Sequence, residues 1–240
     1  MWTFGIPTVS SGPQFIVPDH LIQPAYRTLL AAGFPPCQEG GNCLQLRGNR
    51  SSPRPEEHFH LYPELVDDVH TDILGLYKKS NLLWTLPDLE LKLPAADDPN
   101  FMLASDERLP KTPDGGSGPW PSFLHPVRIL TPTRFLETQI LLHCRDYLHA
   151  NCYSAHWNAN LTYIAEYVKP HNLIKEEDLD PRFLPFWRTM VDLNNLPPQS
   201  FKEELSKVRQ KLIEDNELPP PAPVYNVEPD VAQKLGPYVT

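Results

Sequence analysis

The sequence has no apolar run of the roughly 18 residues that a membrane-spanning helix requires, so a helical anchor is not expected. It has no basic excess either. Lys and Arg number 21 against 30 Asp and Glu, a net charge of −9, and general binding to nucleic acid or to an anionic membrane would need a cationic surface. Cysteine is scarce: Cys37, Cys43, Cys144 and Cys152 include no close CxxC pair. Neither a disulfide scaffold nor a zinc ribbon is expected from them, and reduced, partly buried thiols are. No basic segment followed by an apolar one opens the chain, which is read as a soluble, cytoplasmic protein. The glycines of the stretch from Asp114 to Pro119 are followed by neither Lys-Ser/Thr nor a helix start, so it is a loop and not a phosphate-binding P-loop.

What the chain has in excess is proline, 29 of 240 residues, which shortens helices and forces extended connections. With 40% apolar residues it can still bury a full core. Gln14 to Val17 reads as a strand stopped by Pro18, with Asp19 placed to cap a helical turn. Pro24 suits the first turn of the helix that follows, where Ala25, Leu29 and Ala32 share a stripe beside Tyr26 and Leu30, and Gly33 supplies a left-handed stop. From Pro35 to Glu57 a rim loop is expected, with one short strand at Cys43 to Leu46. His58 to Tyr62 alternates like a strand, and Ile73 to Tyr77 and Leu82 to Leu86 are two further apolar runs around a polar turn. Pro94 to Pro126 reads as irregular, ahead of a short run at Val127 to Leu130.

The remainder is helical. Thr131 caps a helix beginning at Pro132, with Leu136, Ile140, His143, Cys144 and Tyr147 on one face. Trp157, Leu161, Ile164, Ala165 and Val168 repeat that spacing. A third helix follows Asp180-Pro181, and a fourth opens on a capping box, Ser200 with Glu203. Phe201, Leu205, Val208 and Leu212 make a narrow apolar seam on the fourth helix, a candidate surface for a protein partner. From Leu218 the tail is polyproline-like, with Pro220 and Pro223 spaced to suit an SH3-type groove.

The order of segments "GIP", "FIVPD", "LLAAGF", "DILGLYKKSNLLWTLP", "FMLASDERLP", "ILTPTRFLETQILLHCRDY" and "LTYIAEYV" resembles a group of fungal proteins with a nucleotidyltransferase-like fold, over roughly Gly5 to Val168. The resemblance implies an α+β chain: a small mixed sheet in a core over 1–130, a helical part over 131–217, and a proline-rich tail over 218–240. In that fold two carboxylates at alternate positions of a strand point to one face and, with a third, hold Mg²⁺ against a nucleoside triphosphate. Here Gly12 and Gln14 stand where the pair would be, no Gly-Gly or Gly-Ser cradle precedes them, and Asp72 is the one acid left to match the third position. The resemblance therefore implies a binding or accessory factor in a fungal biosynthetic pathway, without catalytic residues, metal or cofactor.

Other readings compete. A Mg²⁺-dependent transferase could rebuild its site from Asp72 with Asp67, Asp68, Asp97 and Asp98, although such acids more often serve solvated turns. Lys78, Lys79, Arg128 and Arg134 could hold an anion in a retained groove, against solubility and helix capping as their ordinary uses. His58 and His60 share a strand face near His70, but no neighbouring Cys or acid completes a zinc spacing, so a half-exposed strand is expected there. His143 and Cys144 diverge by about 100° on their helix and are read as core, not as a catalytic dyad.

Overall fold

A computed structural model describes residues 1–8, 12–39, 43, 52–61, 72–111, 118–150, 153–192 and 195–223. The described chain is α+β. Strand β1 (Gln14–Val17), helix α1 (Ile22–Ala31), strands β2 (Glu57–His60) and β3 (Ile73–Lys78), and the single turn α2 (Lys79–Leu82) form the first part. A two-stranded pair, β4 (Phe101–Leu103) and β5 (Arg128–Leu130), then leads into helices α3 (Pro132–Asp146), α4 (Ser154–Tyr163), α5 (Leu184–Val191) and α6 (Pro198–Glu214).

The first sheet is small and mixed, in the order β1-β3-β2. Strand β1 runs parallel to β3 with Gln14 opposite Gly75, and β2 runs antiparallel to it with His58 opposite the same glycine. Because side chains alternate across a strand, Phe59, Leu74 and Leu76 face one way while Gln14, Gly75, His58, His60 and Ile73 face the other. Helix α1 covers the first face. Of the expected stripe Ala25 and Leu29, with Tyr26 beside them, pack on a core of Ile22, Phe59, Leu74 and Leu76, whereas Ala32 and Leu30 are exposed. Gly33 ends the helix at φ +89, and the Phe34 amide donates to the Leu29 carbonyl at 3.1 Å, which closes the C-terminus.

Several expectations are corrected. Asp19 does not cap its own turn; its carboxylate accepts from the amide and hydroxyl of Ser80 at 3.0 and 2.5 Å and so caps α2 from outside. Leu82 to Leu86 is not a strand, because the chain enters α2 directly from β3, leaving Leu83 and Leu86 to pack with Phe101. The irregular stretch from Pro94 contains β4, an edge strand too short to show a period. Helix α6 begins at Pro198, so Ser200 lies inside it and the capping box is not formed. Of the short strand expected at Cys43, the residues Leu44 to Leu46 lie outside the described residues.

The larger core belongs to the helices. Leu136, Ile140, Cys144, Leu161, Ile164, Val168, Phe186, Trp187, Leu205 and Leu212 are buried together, with Phe4, Ile6, Met102 and Leu109 from before residue 130 in the same cluster. Thr131 caps α3 as expected, accepting from the Arg134 amide at 3.4 Å, with Pro132 in the first turn. The seam of α6 is spent internally: Leu205 and Leu212 are fully buried, Val208 is buried, and the Phe201 ring lies 5.2 Å from Phe186 and 5.9 Å from His143. A partner at that face would have to displace the chain's own core.

At the end of α3 sits a buried polar network. Arg145 and Asp146 form a bidentate pair at 3.0 and 2.7 Å, and Arg145 also donates to the Asn81 carbonyl. Asp146 further accepts from the Trp157 indole at 2.8 Å and from the amide of Ala222 at 3.1 Å. The described start of the proline-rich tail is thereby fastened to the helices. Burial opposes the charge on Asp146, and the Arg145, Trp157 and Ala222 hydrogen bonds overcome it, holding the carboxyl below the usual carboxylate range. Asp146→Ala would leave Arg145 as a buried cation without its partner, and unfolding titrations should show a loss of about 3–5 kcal/mol.

His143 gives a pH dependence. It is 2% exposed, Nδ1 bonds the Ser154 carbonyl at 3.0 Å, and Nε2 has no partner among the described residues. Burial pushes its pKa down from 6.5 to about 4. Above the unfolded value the residue is neutral in both states and costs nothing; as pH falls from about 6.5 towards 4 the unfolded chain takes up a proton that the native one refuses, and stability is lost. The contribution reaches about 3 kcal/mol at most. Urea midpoints measured across that range should fall less steeply for His143→Leu than for the wild-type chain.

Candidate functional site

Two places on the first sheet carry side chains with chemical potential. The first is the approach to β1, where the acidic pair of a transferase would stand. Gly12 has φ +98, a left-handed conformation that side chains rarely tolerate, and it lies flat against the start of β3. A Cβ there would come within 2.2 Å of the Ile73 carbonyl oxygen. Gln14 bonds back to the Gly12 carbonyl at 3.3 Å, and its Oε1 lies over Gly75, where a Cβ would meet it at 2.4 Å. The close approach to β3 just before β1 thus uses the missing side chain of Gly12 against main chain, while Gly75 faces the movable end of Gln14.

Asp72 precedes β3, and its carbonyl accepts from the Leu61 amide at 3.1 Å. Asp67, Asp68 and His70 lie outside the described residues. Asp98 caps its own turn, accepting from the amides of Asn100 and Phe101 at 2.8 and 3.0 Å, and so serves the ordinary use of such an acid. Three of the four candidate cations are distributed over separate internal partners. Lys78 pairs with Glu56 at 2.9 Å, Arg128 donates to the carbonyls of Glu90 and Lys92, and Arg134 pairs with Glu137. Lys79 opens α2 beside Asp19, whose carboxyl is held below its usual range by the Ser80 hydrogen bonds acting against slight burial.

The second place is formed on β2. The sequence places His58 and His60 on one face of a strand, and the structure adds to them the two cysteines that sequence spacing left apart. Pro36 bridges to Phe59, the Pro35 carbonyl accepts from the His60 amide at 3.2 Å, and the Cys37 amide reaches the His58 carbonyl at 3.5 Å. This short extension of the sheet delivers Cys37 alongside the two histidines. Cys43 Sγ stands 3.4 Å from His60 Nε2, and ligand atoms of Cys37, Cys43, His58 and His60 all lie within 4.8 Å of one another.

The imidazoles stack with centroids 5.5 Å apart. His58 is buried, not half-exposed as the alternation suggests, and burial together with the nearby His60 pushes its pKa down to about 4. Both features suit neutral ligands better than a solvated strand face. The signal in the sequence was two cysteines with five residues between them, followed by His-x-His. It went unread because five residues separate the cysteines and one separates the histidines, against roughly two to four and three to five in a compact finger, and the pairing of Pro36 with Phe59 brings Cys37 to the histidines. Elsewhere Cys144 is a core residue, as expected, its thiol pushed up to about 12 by burial, and Cys152 lies outside the described residues.

In comparison with known proteins, the chain matches no family model, no curated protein and no solved structure.

The steric state of Gly12 is open to test. Gly12→Asp, which would restore a carboxylate, forces a side chain into a left-handed position and against the Ile73 carbonyl. It should cost about 2 kcal/mol or more in unfolding titrations, whereas Gln14→Asp at the exposed end of β1 should cost clearly less.

Proposed function

We propose that this chain is a non-catalytic binding or accessory protein, built on a degenerate sheet of the nucleotidyltransferase-like type. The observation that carries this reading is Gly12. A transferase needs a carboxylate at that point of the strand, and this backbone leaves a Cβ 2.2 Å from a main-chain oxygen. The position is built for the absence of a side chain, and Gln14, two residues on, is occupied in bonding the Gly12 carbonyl.

A lone Asp72 leaves the charge of a divalent ion largely uncompensated. Of the cations proposed for an anion, Lys78 and Arg134 pair with Glu56 and Glu137 and Arg128 donates to main-chain carbonyls, so a triphosphate would have to compete there with ligands already in place.

The reading is tested by calorimetric titration of the full chain with ATP and with CTP, each with and without Mg²⁺. No metal-dependent heat and no nucleotide turnover are expected. Saturable, Mg²⁺-dependent binding that is lost in Asp72→Asn would overturn it in favour of a transferase with a relocated site.

A further inference from the structure

The four donors gathered at β2 take no part in the role just proposed. Two are thiols and two are imidazoles, a donor set that selects zinc in closed tetrahedral sites. Bonds of about 2.3 Å to sulfur and 2.0–2.1 Å to nitrogen place the donors of such a tetrahedron about 3.3–3.8 Å apart. Cys43 Sγ and His60 Nε2 already stand at 3.4 Å. The other separations, all within 4.8 Å, need to close by at most about 1.5 Å.

A second observation is independent of proximity. His58 is 8% exposed and its Nε2 has no hydrogen-bond partner among the described residues, a buried polar atom that ordinarily costs about 1–3 kcal/mol. A metal ion held among these side chains satisfies the ring. Two thiolates also cancel the charge of a divalent cation, so the filled site is neutral, as a buried position requires.

We propose that Cys37, Cys43, His58 and His60 form a structural site for one zinc ion, which fastens the segment following α1 to strand β2. Four protein ligands leave no open coordination position for water or substrate, which separates this site from a catalytic one. The need for it is local. Among the described residues the core between α1 and the sheet buries Ile22, Phe59, Leu74 and Leu76, with other side chains partly covered, and small cores of this kind gain from a metal staple. The face of β2 that carries the histidines points away from α1, so the ion would brace the side of the sheet that the helix leaves uncovered.

The test uses the purified full chain, reduced and checked by thiol counting. Metal analysis should find about one zinc per chain. After chelation, cobalt(II) should restore one equivalent, with a thiolate-to-metal charge-transfer band and the intense visible bands of tetrahedral cobalt. Zinc should shield Cys37 and Cys43 from alkylation, as read by mass spectrometry of the digest. Cys43→Ser and His60→Ala should weaken binding about a hundredfold or more, while Cys144→Ala keeps the stoichiometry. Should the ligand variants fail to fold, the cobalt spectrum and the shielding pattern of the wild-type chain decide alone. Absence of tetrahedral cobalt bands on the reduced chain would overturn the site, as would bands that persist in Cys37→Ser/Cys43→Ser. None of these readouts depends on nucleotide binding, so the two proposals fail separately.

Discussion

The carboxylate of Asp146 is the point at which the parts of the molecule meet. It is fully buried at the end of α3, and its partners come from α3 itself, from α4 through Trp157, and from the chain beyond α6 through Ala222. Arg145, held by that carboxylate, reaches the Asn81 carbonyl at the end of α2 and lies 5.4 Å from the Trp84 ring, whose indole donates to the Glu217 carbonyl at 3.0 Å. A buried ion pair adds little net stability compared with an apolar pair of the same shape. Its value here is registry: one group fixes how the sheet region, the helices and the first residues of the tail sit against each other.

That network also marks the limit of what the sequence discloses. Arg145 and Asp146 look like the charged end of an ordinary helix, and nothing local says that both are buried. The elements with local chemistry were legible: β1 from its apolar run before Pro18, α1 from its stripe and Gly33, and α3 from Thr131 and Pro132, because caps and periods are properties of adjacent residues. Elements that depend on distant partners were not. Strand β4 has three residues and exists by pairing with β5, and α2 is capped by Asp19 from across the sheet. The capping box at Ser200 failed for the opposite reason, since a helix start two residues earlier at Pro198 overrode a pattern that was locally sound.

The same division runs through the site residues. Gly12 stood out in the sequence as a missing acid, and the structure gives that absence a cause in the contact with Ile73. The cations Lys78, Arg128 and Arg134 looked available because a sequence does not show which carboxylate or carbonyl will reach them. Cysteines 37 and 43 looked solitary for the converse reason: the histidines that face them are brought near by a main-chain bridge between Pro36 and Phe59.

The register of the first sheet has a kinetic consequence. Gly75 sits between His58, 17 residues before it, and Gln14, 61 residues before it. Chain entropy makes the longer closure dearer by about 1 kcal/mol, since the cost rises with the logarithm of the loop. The antiparallel pair of β2 and β3 is therefore the cheaper one to close. Gly12 lies beside the costlier pairing, so its fit against Ile73 belongs to the longer closure.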